Sequence, residues 1–588
     1  MTEDRGRILS ISYPLAVAEG MDKAKVFDAV RVGDKGLVGE ITEVLGDRAS
    51  IRLYENGSGL GRGDQVVSLG EPITVELGPG MLGGVYDGMQ RPLADMIKLA
   101  DSSFSGGLEL PSLDREKIWS FETDKKFGDK VVEGDVYGIV KENESITLNI
   151  TVPAGISGTI IELNSGDFHV DDRIGKIKLA DGTIEDVMLM QRRPMRRARP
   201  FAERCAPCEP LVTGQRAIDT LFPIAKGGVA CVSGGCASGK TVLLQQIAKQ
   251  TDADIVIYVA CGERGTELSA FLEELSETKY GKTGKSLSER TVVIACTSDM
   301  PIAARIASIY KSVTIAEYYR DMGFSVALIT DSLSRYAQAL RETAENPSCE
   351  LVGGYPAELE SSILAVCERA GSVICLGSDK RLGSVTMISS VSLGVSSSKD
   401  PVLEAFLRGA GVLIKLDAPR SHRAIFPTID PALSYSLYRD RVAIKYRDGL
   451  ARDWPEKTDR AQKLLRSGCE LEKKAGLSGI GALSADEMIT LKTARLIKKD
   501  FIGQNSTEEA AGCPETDKQI ALLRLILLFD ERARGAVKEG ADAQRLCELP
   551  ILDKIGEAKK VGYESFKAAY AELSSDIRKE IASASAEQ

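Results

Sequence analysis

Only two histidines occur among 588 residues, which leaves almost no room for imidazole-based metal or acid–base chemistry. No apolar run is long enough to cross a bilayer. The best stretch, Ile520 to Phe529, has about half the length a membrane helix requires and is broken by Arg524. The N-terminus lacks a basic segment followed by an apolar one, so no secretory leader is expected. Basic residues are not in excess: 75 Lys and Arg against 85 Asp and Glu give a net charge of −10, unlike a general nucleic-acid binder. The twelve cysteines are scattered along a long chain without a leader and read as reduced, cytosolic thiols. These absences leave a large, acidic, soluble, cytoplasmic protein as the expectation.

What is present is organised in blocks, and 588 residues suggest three or four compact units. The first ~75 residues alternate short β-rich runs with glycine turns, as in Leu37–Val44, Ala49–Tyr54 and Gln65–Leu69, which points to a small N-terminal β-barrel at 1–75. A loop-like stretch follows around Gly78-Pro-Gly-Met-Leu-Gly-Gly. A second β-rich block covers 110–190, with Gly134–Val140, Ile146–Val152 and Gly158–Leu163. It ends at a basic segment, Arg192 to Pro200, which reads as a solvated linker, although an acidic partner would also fit. From Val229 short β-branched runs alternate with amphipathic helices, the pattern of a parallel α/β sheet. That domain is expected over 76–109 and 191–439, and a helical C-terminal domain over 440–588.

The strongest chemical signal is Gly234-Gly235-Cys236-Ala237-Ser238-Gly239-Lys240-Thr241, a full match to the phosphate-binding loop pattern, followed by Val242. Its glycines let successive backbone N–H groups face phosphate oxygens, and the following helix adds its positive end. Lys240 reaches the β- and γ-phosphates of ATP, or the β-phosphate of ADP, and the Thr241 hydroxyl ligates Mg²⁺. A strand before and a helix after satisfy the context the pattern needs.

Asp331 closes the apolar run Ser325–Thr330 and can hold the metal through a water; a helix cap is the competing reading. Cys261-Gly262-Glu263-Arg264-Gly265 follows another strand, and Glu263 there can orient a water as general base. A plain surface turn explains the same residues as well. Cys205-Ala-Pro-Cys208 lacks a second pair or a histidine nearby, so a zinc site is disfavoured. Cys236 lies at a helix N-terminus inside the loop, a reactive setting for a thiol, with a small neutral loop residue as the alternative.

Taken together, these motifs resemble the catalytic A subunit of V/A-type rotary ATPases along nearly the whole chain. The resemblance is carried by Glu76-Leu-Gly-Pro-Gly-Met-Leu-Gly, Asp87-Gly-Met-Gln-Arg-Pro92, Pro210-Leu-Val-Thr-Gly-Gln-Arg-Ala-Ile-Asp-Thr220, Thr314–Gly323, Asp331–Glu342 and Phe426-Pro-Thr-Ile-Asp430. The block at 110–190 matches the insert that separates A subunits from shorter relatives.

The resemblance implies a hexamer alternating with B subunits around a central rotor stalk, braced by peripheral stalk subunits. It reaches the membrane only through other subunits, on its cytoplasmic face, and involves no nucleic acid. It also implies catalytic roles for Lys240, Glu263 and Arg264, an arginine finger from the B subunit, and an adenine pocket with Phe426 and Phe501 as candidates, an ordinary core role being the alternative for both. The isolated chain is then expected to be a poor ATPase. Departures from the family pattern occur at 235–238, around Ala344–Gly354, at Leu393–Asp400 and at Ser506-Thr507. Rival readings are a non-catalytic ring subunit, an RNA translocase with the same core, and a type III export ATPase.

Overall fold

The computed structural model describes residues 4–99, 107, 110–280, 284–344, 351–352, 354–393, 400–417, 426–447, 452–504 and 516–586. The departures at 345–350, 353, 394–399 and 506–507 lie outside the described residues. The chain forms two compact units, both discontinuous in sequence. One comprises Met1–Ala206, Ala253–Val391 and Lys399–Gly409, the other Pro207–Asp252, Ser392–Ser398 and Ala410–Gln588.

The first unit begins with a closed barrel of six strands between Asp4 and Pro72. Its alternation is a direct reading of the sequence. In Arg48–Leu53 the residues Ala49, Ile51 and Leu53 point inward and are buried, while Ser50 and Arg52 between them are half-buried on the other face. Ile8, Val30, Val32, Ile41 and Val66 complete the barrel core. Gly6 has no substitute here, because a Cβ would fall 2.5 Å from the Glu19 carbonyl oxygen and 2.6 Å from Met21 Sδ.

The insert is a pair of four-stranded antiparallel sheets between Trp119 and Met188, packed around Trp119, Phe121 and Tyr137. Polar side chains fasten it to the rest of the unit. Asn149 Nδ2 donates to the Met322 carbonyl (2.9 Å), and Asn143 Nδ2 donates to that of Glu289 (2.9 Å). Asp135 accepts from Ser378 N and Oγ (2.7 Å each), and the buried Glu142 accepts from Gly80 N (2.9 Å) and Leu82 N (3.3 Å).

The basic segment after the insert is not a solvated linker. Gln191–Pro194 is a strand paired with Thr74–Leu77. Arg196 donates to both oxygens of Glu40 in the barrel (2.7 Å each), and Arg199 Nε donates to Asp321 Oδ2 (2.6 Å). Arg192 remains mostly exposed. Charge runs usually face water, but here buried carboxylates from other elements wait for two of the arginines, and no local pattern announces them.

The rest of the first unit carries parallel strands in the order Leu382–Ser392, Ser325–Asp331, Ile255–Cys261, Thr291–Cys296, Val85–Tyr86. Every residue of Ile255–Cys261 and Thr291–Cys296 is buried, which is why these runs are continuously apolar rather than alternating. The helix Ala304–Asp321 is buried throughout its length, and its charged Glu317 and Arg320 are taken up in ion pairs with Arg369 and Asp321.

The second unit contains the parallel pair Val229–Gly234 and Val412–Lys415, with Tyr435–Ser436 antiparallel beside the latter. Its C-terminal part is helical, with long helices at Trp454–Ser478, Ala485–Leu496, Thr516–Lys538 and Tyr563–Ala586. Ser484 and Glu487 close a reciprocal capping box at the start of the second of these. Asp530 is fully buried in the third and accepts from Arg460 Nη2 (2.6 Å), Arg534 Nε (3.1 Å) and Thr493 Oγ1 (3.2 Å). A buried carboxylate needs such company to stay charged. Among the described residues no helix is long and apolar enough to cross a membrane.

Candidate functional site: a phosphate-binding loop and two acidic strand ends

The fully buried strand Val229–Gly234 delivers the chain into the loop, and the helix Lys240–Gln250 takes it out. Gly239 precedes the helix at φ +85°, a left-handed conformation that glycine adopts without penalty. Ala237 also sits at positive φ (+57°), which an alanine tolerates less well. At Gly234 a Cβ would fall 2.3 Å from Ser238 Oγ, so the turn closes only around a bare backbone.

The loop is held by its own polar groups. Ser238 Oγ donates to the Gly235 carbonyl (2.9 Å), and Thr428 Oγ1 donates to the Ser238 carbonyl (2.6 Å). Lys240 folds back so that Nζ donates to the carbonyls of Gly234 (3.0 Å) and Gly235 (2.7 Å). Cys236 and Val242 are exposed and Thr241 is half-buried, so the loop mouth is open to solvent.

Phe426, also in the second unit, has 49% of its surface exposed. Phe501 is fully buried in the π-helical turn Ile497–Ile502. For Phe501 the burial favours the core role over the adenine pocket. Its ring has no exposed surface and packs among the C-terminal helices.

Within the first unit, Glu263 and Asp331 end up at the carboxyl ends of neighbouring parallel strands. Ala260 is in register with Asp331, and Ser332 N donates to the Cys261 carbonyl (3.3 Å). Gly262 turns the chain at φ +75° and packs on Arg335, and Ser298 N donates to the Glu263 carbonyl (2.9 Å). Glu263 is half-buried, and the exposed Arg264 sets off the helix Gly265–Glu277. Asp331 is buried, and its Oδ1 accepts from Ser390 Oγ at 2.5 Å. Carboxyl ends of parallel strands are where such sheets bind ligands.

Two supporting residues escaped the reading of the sequence. Ser390 lies in Leu382–Ser392, where serines inside a buried strand are the available signal, since a buried hydroxyl must find a partner. Thr428 lies inside the Phe426–Asp430 motif, but nothing local indicates that its hydroxyl would reach the loop. Beside the site, burial pushes the Cys261 thiol up to about 12 and that of Cys296 well above its usual value. These two are inert thiols, unlike the exposed Cys236.

Comparison with known proteins is decisive. The chain is 46% identical over 580 residues to the V-type ATP synthase alpha chain 1 of Clostridium tetani, covering 98% of this chain and 97% of that one. The chain belongs to the V-type ATP synthase alpha-chain family. The alpha chain of Acetivibrio thermocellus is 45% identical over 581 residues, with 98% of both chains covered. That of Clostridioides difficile is 46% identical over 581 residues, again with 98% of both covered.

The family assignment holds block by block. Residues 8–70 match the ATP synthase alpha/beta family beta-barrel domain and 110–196 the alpha/beta subunit barrel-sandwich domain. Residues 214–436 match the alpha/beta family nucleotide-binding domain, and 444–546 the C-terminal domain of V and A type ATP synthase. The barrel, the double-sheet insert and the helical C-terminus are the architecture this family implies. The chain is accordingly a nucleotide-binding ATPase or ATP synthase subunit.

Proposed function

We propose that this chain is the catalytic subunit of a V/A-type rotary ATPase, hydrolysing or synthesising ATP in a ring where it alternates with the B subunit. The observation that carries the reading is the formed phosphate-binding loop with Lys240 and Thr241 in place at the start of a helix. Lys240 leaves the carbonyls of Gly234 and Gly235 to neutralise the β- and γ-phosphates, while the loop's backbone N–H groups bind their oxygens. Phe426 offers its exposed ring to the adenine.

The half-buried Thr241 hydroxyl and the buried Asp331 carboxylate are oxygen donors of the kind a hard cation such as magnesium takes, and these two residues would hold it, Thr241 directly and Asp331 through a water. When bound, the ion supplies charge neutralisation at the phosphates. Ser390 fixes the Asp331 carboxylate in one orientation. Glu263 takes up a proton from the attacking water as general base, and Arg264 beside it adds positive charge. An arginine of the B subunit completes the stabilisation of the transition state. Turnover couples through a central rotor, held against peripheral stalk subunits, to proton or sodium movement in a membrane sector made by other subunits.

The test is the Mg²⁺-ATPase activity of the chain assembled with its B partner, comparing wild type with Glu263→Gln. Hydrolysis by wild type, and ATP binding without hydrolysis by the variant, supports the reading. A wild-type ring that assembles and binds ATP but never hydrolyses it would make this a non-catalytic, regulatory subunit.

A further inference from the structure

We infer that Gln504 and Arg216 are positioning residues for Phe426, tying the adenine-facing ring to the C-terminal helical region. The inference rests on the nucleotide-binding reading above and deepens it. With about half its surface exposed, Phe426 is held only in part by packing of its ring. Its backbone is fixed instead. The Phe426 carbonyl accepts from Gln504 N at 2.6 Å, and two residues further on Thr428 is anchored to the phosphate-binding loop.

Gln504 is itself held at two points. Its side-chain Nε2 donates to the Gly214 carbonyl (2.8 Å), and its Oε1 accepts from Arg216 N (3.0 Å). One amide thus satisfies a backbone acceptor and a backbone donor of the same turn, an arrangement that fixes which end of the amide is oxygen. Arg216 returns the grip, donating from Nε to the Phe501 carbonyl (2.9 Å) and from Nη2 to that of Gly503 (2.8 Å). Residues 501–504 and the turn 214–216 are therefore clasped together from both sides.

The turn is in turn fixed to the helix that starts at Lys240. Gly214 lies at φ +77°, where a Cβ would fall 2.3 Å from Gln250 Oε1, and Gln215 Nε2 donates to that same oxygen (3.1 Å). Gln250 is the last residue of Lys240–Gln250. Phosphate-side helix, turn, Gln504 and adenine-side ring form one chain of contacts.

The experiment is calorimetric titration of the full chain, assembled with its B partner, with Mg-ATP and separately with Mg-tripolyphosphate, which has no base. Losing one such hydrogen bond is worth a factor of about five to ten. Gln504→Ala loses two of them, to Gly214 and from Arg216, and therefore weakens Mg-ATP binding by at least about that factor while leaving tripolyphosphate within about twofold. Gln504→Glu keeps the acceptor for Arg216 N but sets a carboxylate oxygen against the Gly214 carbonyl; it shows a loss of the same selectivity and stands in if the alanine variant does not fold. Equal weakening of both probes, or of neither, overturns the inference while the nucleotide site stands. A wild-type protein that binds neither probe removes the reading on which it rests.

Discussion

Arg196 and Glu40 form a bidentate ion pair, with both hydrogen bonds at 2.7 Å and the Glu40 carboxylate 1% exposed. The pair joins the segment after the insert to the barrel wall, and the Arg196 guanidinium also lies over the rings of Phe27 and Tyr310. Removing one partner strands the other charge without water. Arg196→Met should cost about 3–5 kcal/mol in unfolding free energy. Arg192→Met, four residues away and 64% exposed, should cost less than about 1 kcal/mol. Urea midpoints of the two variants measure the contrast, and equal values would mean that the buried pair carries no special weight.

Glu263→Gln should retain ATP binding and slow hydrolysis by roughly 10²- to 10⁴-fold, the usual share of a general base. Steady-state turnover alongside a binding titration reads the two effects separately. A variant that hydrolyses at more than about a tenth of the wild-type rate would leave Glu263 with no role in proton transfer.

Burial pushes the Glu142 carboxyl up to about 7 from its ordinary 4.5, against the pull of the Gly80 and Leu82 amides and of Lys117. Between those values the folded protein keeps a proton that the unfolded chain has released. Stability from this group therefore falls as pH rises through the window and is lowest above 7. Asp219, pushed up to about 7 by its own burial, acts in the same window, so the readout is a difference between proteins. Relative to wild type, Glu142→Gln should gain stability from pH 4.5 to 8, by up to about 3 kcal/mol. Denaturation curves at several pH values test this, and parallel pH profiles for the two proteins would refute it.

A bulky maleimide should label Cys236 ahead of the buried Cys261 and Cys296 and abolish nucleotide binding. Mg-ATP should protect against labelling, and Cys236→Ser should bind ATP after the same treatment. Full binding by protein carrying the label on Cys236 would show that the loop tolerates bulk at this position.

Much of this was legible without a structure, for physical reasons that differ along the chain. Ile255–Cys261 and Thr291–Cys296 announce themselves because strands buried on both faces must be apolar throughout. The loop at 234–241 is legible because a tight turn with a following lysine is a local requirement. Partnerships between distant residues are not local. Arg196 with Glu40, Ser390 with Asp331 and Thr428 with Ser238 are separated by 156, 59 and 190 positions, and each half alone looks like an ordinary polar residue. Phe501 shows the same limit from the other side, since an aromatic on a helix carries no mark that separates a packing ring from a binding one.

Thr428 fastens the Phe426 segment to the carbonyl of Ser238, so the surface proposed to meet the base and the loop proposed to meet the phosphates are one piece of protein. They work as a caliper whose jaws are set before any nucleotide arrives. A ligand is gauged by the span between its ring and its phosphates, which the Thr428 anchor and the Gln504 clasp set together.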